Sequence, residues 1–181
     1  MLTTPTKMFS QLAIIRERLA LIAAPIFISV HPRTDSQPDE CIQDVTQQVN
    51  DHGGEIVYGW IIWLWPRVMA EAQFHAVWRD PAGDLLDVSY KQDAETRILF
   101  ITDPTLIDDG QSIDNCRVPI ANHSLVHEFI AVSELFQKRF VETYGAHFTG
   151  EVVLTGELAT LYARRKKIEA TLLIFQHTGQ L

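Results

Sequence analysis

Asp80-Pro81-Ala82-Gly83 is the stretch that most restricts what this chain can fold into. Proline at the second position of a turn presets φ, and glycine at the fourth tolerates left-handed backbone. The tetrapeptide therefore predicts a type I turn closed by a G1 bulge, joining two antiparallel strands. A bulged hairpin has a fixed register. Asp80 then faces Asp84, Trp78 faces Leu86, Val77 faces Asp87 and His75 faces Ser89. One face of the pair carries Phe74, Ala76, Trp78, Leu86, Val88 and Tyr90, the expected core side. The other carries Glu71, Gln73, His75, Val77, Leu85, Asp87 and Ser89. A plain two-residue turn would slip the register by one and throw Asp87 among the large aromatics. The bulged register is the one the pattern supports.

The rest of the chain reads as helices at both ends of such a sheet. Phe9, Leu12, Ile15, Leu19 and Ile22 recur at helical spacing, which predicts a helix over 6–23 stopped by Pro25. Ile26 to Val30 is a short buried strand, followed by a polar loop from His31 to Pro38. Ser36 or Asp39 would cap a helix over about 39–51, which Gly53-Gly54 terminates. Glu55 to Trp65, rich in β-branched and aromatic residues, is a strand, as are 71–79, 84–90 and 97–102. Residues 105–121 read as loop, and helices follow over about 123–144 and 156–170. The class is α+β, an antiparallel sheet with flanking terminal helices. The 39–51 helix is expected on the polar face of the hairpin. The C-terminal helices are expected on the face of Phe74, Trp78, Val88 and Tyr90, making one domain of 1–181 around a core of about 25–104.

Composition narrows the function classes. The 15 Lys+Arg stand against 23 Asp+Glu, a formal net charge of −8. The densest basic run is Arg164-Arg165-Lys166-Lys167, read as a solvated helix face, so no nucleic-acid partner is expected. The twelve uncharged residues Leu19 to Val30, broken by Pro25, fall short of the ~20 that cross a bilayer. No cleavable leader is read before them, so no membrane association and a cytoplasmic location are expected. Two cysteines, Cys41 and Cys116, are too few for a disulfide framework.

The chemistry gathers around the hairpin. His75 and Asp87 share a face as diagonal cross-strand neighbours, with backbones about 7–8 Å apart, a gap an imidazole and a carboxylate can span. A histidine oriented by a carboxylate is the base half of a nucleophilic site. Cys41 is placed to supply the other half. It opens a helix, where the positive end of the dipole favours thiolate and the free N–H groups can receive an oxyanion. Each residue alone has an ordinary structural use; the ordered set on one face is what points to chemistry.

Cys41-Ile42-Gln43-Asp44-Val45, Gly53-Gly54, Gly59-Trp60, His75-Ala76-Val77-Trp78 and Gly83-Asp84-Leu85-Leu86-Asp87-Val88 together resemble the core of transglutaminase-like and papain-like cysteine hydrolases. They are closer still to small bacterial proteins that carry the same markers. The resemblance covers roughly residues 25–104. It implies Cys41 as nucleophile, His75 as base and Asp87 as the orienting carboxylate, with a peptide or amide substrate and no cofactor. Gln37 and Gln73 are the candidates for the oxyanion-side glutamine, and Glu40 and Ile42 flank Cys41 where transglutaminase-like enzymes commonly carry a tryptophan.

Trp60, Trp63 and Trp65 are expected on one strand face with Tyr58, with Trp60 as a substrate-groove wall. His123 and His127, four apart, with His147 and Cys116 could ligate zinc. The chain lacks His-Glu-x-x-His and Cys-x-x-Cys, so no metal is expected. No phosphate loop or dinucleotide fingerprint is present. The function these features favour is thiol-dependent acyl transfer through a thioester. The alternative is a catalytically inactive scaffold of the same shape that binds partners. An apolar remnant on residues 6–23 would serve a homodimer contact.

Overall fold

The computed structural model describes residues 2–38, 40–148 and 150–178. The elements run α1 Gln11–Arg18, β1 Ile26–Val30, α2 Cys41–His52, β2 Glu55–Trp65, β3 Met69–Arg79, β4 Leu85–Asp87, β5 Arg97–Thr102, β6 Cys116–Pro119, α3 Ser124–Tyr144 and α4 Gly156–Thr178. The architecture is mixed α+β, a sheet with terminal helices. Asp39, one of the two expected caps of α2, lies outside the described residues. The helix begins at Cys41 with Glu40 at the cap position and no side-chain cap, so Ser36 does not cap it either.

β2 and β3 explain the sheet. They pair along their whole length, from Glu55 with Arg79 to Trp65 with Met69. A two-stranded ribbon that long twists strongly and brings its two outer edges around toward each other. β5 lies on the outer edge of β2, β4 on that of β3, and β1 fits between them, so the order β2-β5-β1-β4-β3 closes back on β2. The result is a five-stranded barrel filled by Ile28, Val30, Val57, Ile61, Val77, Ile98 and Phe100. The wholly antiparallel expectation is corrected at one seam. Closure places β1 beside β4 in the same direction, Ser29 opposite Leu86 and Val30 opposite Asp87. β6, within the segment read as loop, pairs with the first turn-ward residues of β3, Met69 to Ala72.

Closure at the β2–β5 crossing depends on Gly59. A Cβ there would lie 2.2 Å from the Ile101 carbonyl oxygen and 2.5 Å from Phe100 Cζ, both fully buried. Neither the backbone nor a packed ring can give way, so Gly59→Ala should destabilise the fold by at least about 1–3 kcal/mol. A lowered urea midpoint with an unchanged m-value would show it; an unchanged midpoint would mean that the two strands are free to part.

The hairpin turn forms as read: Gly83 has φ +99°, its N–H donates to Asp80 O at 3.0 Å, and Trp78 pairs with Leu86. The helix assignments around it need correction. A barrel buries both faces of its strands. The side bearing Val77, His75 and Asp87 is turned inward, and the opposite side, with Ala76 and Val88, is where α2 docks through Val45. α2 therefore covers the apolar face, and Tyr90 stays exposed. With that face taken, α3 and α4 pack elsewhere, on Trp65, Val68 and Met69 at the β2–β3 turn. α1 is shorter than 6–23, because the chain turns at Ala20 with φ +52°. Its Leu12 and Ile15 dock on Trp60, Ile62, Ala70 and Ala72, and Ile22 is left exposed.

Candidate functional site

Three elements converge on one buried carboxylate. Asp87 ends β4 and is 0% exposed. Its backbone is held from the β1 side, where its carbonyl accepts the His31 N–H at 2.7 Å. Its Oδ2 lies 3.1 Å from His75 Nε2 and 2.7 Å from Lys91 Nζ, and its Oδ1 accepts the Ser89 N–H at 2.9 Å. Burial works against the charge, but the imidazolium of His75 and the ammonium of Lys91 outweigh it and hold the carboxyl well below the usual carboxylate range.

His75 faces Gly59 across β2 and is buried at 7% exposure. Nε2 is committed to Asp87, which leaves Nδ1 as the nitrogen for the thiol. Desolvation pulls the ring toward neutrality. The Asp87 charge and hydrogen bond, followed by Cys41, overcome it and raise the ring to about 9. Cys41, the first residue of α2, is fixed by Val45 docking on Ala76 and Val88. Its thiol stands against the His75 ring and the Ala76 backbone N–H, both of which favour the thiolate. Burial alone would push the thiol up; these neighbours and the imidazolium charge bring it below the ordinary thiol value. The arrangement thus favours an imidazolium beside the thiol, with a carboxylate behind it.

Cys41 and His75 line a cavity of about 860 Å3, and Asp87 is buried behind His75. Gln37 and Gln73 also line it. Gln37 is exposed, with its amide donating to Asp35 O at 3.4 Å, and Gln73 accepts the Trp63 indole N–H at 2.8 Å. Trp60 does not line it. That residue is 4% exposed in the cluster under α1, and its indole N–H donates to Asp103 Oδ2 at 3.0 Å. Strand parity gives the reason: Tyr58 and Trp60 share one face, Trp63 and Trp65 the other. Counting by twos would have put Trp63 in the groove and kept Trp60 out of it. The α2 N-terminus borders the same space, and its first N–H groups, with no acceptor inside the helix, are available to an oxyanion.

Sequence reasoning missed several residues of this site. Lys91 lies past the end of β4, where no periodicity marks it, and Ser89 falls on the expected face with nothing in the sequence to give it a role. The far wall is built from Asp108 to Ile113 and Ala146 to Phe148. The Ser112 N–H on Ala146 O ties the two segments together, and Gln137 of α3 donates to the Ser112 hydroxyl, both at 2.7 Å.

The zinc alternative disperses. His123 caps α3 by accepting the Leu125 N–H, His127 pairs with Asn122, and Cys116 starts β6. Among the described residues no group of three or more His, Cys, Asp or Glu is placed to hold a metal ion. Among them, too, no helix is long and apolar enough to cross a membrane. Compared with protein-family models, with curated proteins and with solved structures, the chain has no match.

Proposed function

We propose that the protein is a thiol-dependent acyl-transfer hydrolase, an amidase or peptidase, or a transamidase, working through a thioester at Cys41. One observation carries this reading: an imidazole held by a fully buried carboxylate shares a cavity wall with a helix-opening thiol, and the cavity is large enough for a substrate. The chain order of cysteine helix, histidine strand and carboxylate strand supports a papain-like or transglutaminase-like core.

In this reading the Cys41 thiolate attacks the carbonyl carbon of a peptide or amide, and the electron pair moves to the oxygen, facing the first-turn N–H groups of α2. Collapse breaks the C–N bond as the His75 imidazolium passes its proton to the leaving amine, which departs neutral. The neutral imidazole then takes a proton from water, or from an acceptor amine, as that group attacks the thioester. The C–S bond breaks, and the thiolate and imidazolium are restored.

Iodoacetamide labelling across pH tests the nucleophile, with Cys116 as internal reference. Burial raises the Cys116 thiol, so its labelling should follow a profile above the ordinary thiol range. Cys41 labelling should persist well below pH 7. In His75→Ala it should fall back toward the profile of an unassisted thiol, near ~8.5. Cys41 labelling that follows an ordinary thiol profile and ignores the mutation would favour a non-catalytic binding scaffold. Turnover of an amide substrate, once found, should decline as pH rises through about 9, because acylation consumes the imidazolium proton.

A further inference from the structure

We propose that Lys91 is a positioning residue that shares the Asp87 carboxylate with His75, and so limits how tightly that carboxylate holds the imidazolium. Both cations reach the same oxygen, Lys91 Nζ at 2.7 Å and His75 Nε2 at 3.1 Å from Oδ2, while Oδ1 is occupied by the Ser89 N–H. The three side chains are 8%, 9% and 0% exposed, so solvent screens the contacts weakly. A surface lysine would not be drawn into such a place, because burying an ammonium without a partner is costly.

The charge count explains what the second cation does. In the proposed reaction the attacking thiolate faces the imidazolium and Asp87 faces Lys91, so the buried charges cancel. Once Cys41 is acylated and His75 has passed its proton to the leaving group, Asp87 and Lys91 still cancel. Without Lys91, that proton transfer would strand a buried carboxylate with no counter-ion, and Asp87 would resist it. This rests on His75 being the proton carrier of the proposed reaction. The charged or titratable groups around the ring are Cys41 from α2, Asp87 from β4 and Lys91 beyond it. Tyr58 on β2 lies near the thiol, and Glu40, Asp93, Asp108 and His147 stand around the cavity.

The test follows the His75 ring directly. The protein is carbamidomethylated with iodoacetamide, which makes Cys41 as neutral as a thioester. The imidazole resonances are then titrated by NMR, and that of His75 is identified by its absence in His75→Gln. Lys91→Met should raise the His75 midpoint by about one pH unit, since a repelling cation is gone and the carboxylate serves one partner. Lys91→Arg should restore a midpoint close to wild type. A midpoint in Lys91→Met at or below wild type overturns the proposal, and Lys91→Gln gives the same reading should the methionine variant not fold. The titration needs neither substrate nor turnover. A shifted midpoint in a chain that hydrolyses nothing would keep the sharing and remove the function; an unmoved midpoint in an active chain would do the reverse.

Discussion

Asp87→Ala should cost the fold about 3–5 kcal/mol at neutral pH and remove the unusual reactivity of Cys41 together. Two cations converge on this carboxylate, and truncating it leaves His75 and Lys91 in a dry site without a counter-charge. The ring would then lose its proton and its orientation, and the thiol its imidazolium partner. Asp87→Asn separates charge from shape, because the amide oxygen can still accept the Ser89 N–H while the ion pairs vanish. The pH dependence has a definite sign. Asp87 is held below its unfolded value, so its contribution is present above the carboxyl range and lost as pH falls through it. His75 is held above its unfolded value, so its contribution is complete below ~6.5 and lost as pH rises through about 9. The stability gap between wild type and Asp87→Asn should therefore be widest from about pH 4 to 6.5 and shrink on both sides. Urea midpoints across that range measure it. A gap that stays flat with pH would mean Asp87 acts through packing alone.

The hairpin was legible because its determinants are local. A proline and a glycine two positions apart set the turn, the turn set the register, and the register put His75 and Asp87 on one face. The start of α2 at Cys41 was legible to within two residues for the same kind of reason, with Pro38 before it and Gly53-Gly54 after it. Barrel closure left no such mark. His75, Asp87 and Ser89 read as a wet strand face, yet they are buried inside, because polar groups that satisfy one another can sit where apolar ones are expected. β6 escaped notice since four residues ending in proline are too few to carry a strand signal. Lys91 is adjacent to Asp87 only through the bend after β4, and Trp63 was lost to an error of parity rather than to any missing signal.

Removing the chain beyond Asn122 should give a product that is expanded or insoluble, and should disable the site even in any fraction that folds. α3 and α4 bury Val126, Phe129, Ile130, Val132, Leu161, Ile168 and Leu172 against Trp65, Val68 and Met69. Trp65 is edge-on to Phe129 with ring centroids 5.5 Å apart, and its indole N–H donates to Gln176 at 2.7 Å. Stripping the helices would expose this end of the β2–β3 ribbon, the element from which the barrel closes. Exposed apolar patches of several hundred Å2 drive association. The truncation also deletes Ala146 to Phe148 and frees the 108–113 segment that they hold, opening the cavity opposite Cys41. Near-UV circular dichroism and light scattering read the first consequence, and Cys41 labelling reads the second. A truncated chain that is folded, monomeric and unchanged in its labelling profile would show that the barrel and its thiol site stand without the C-terminal helices.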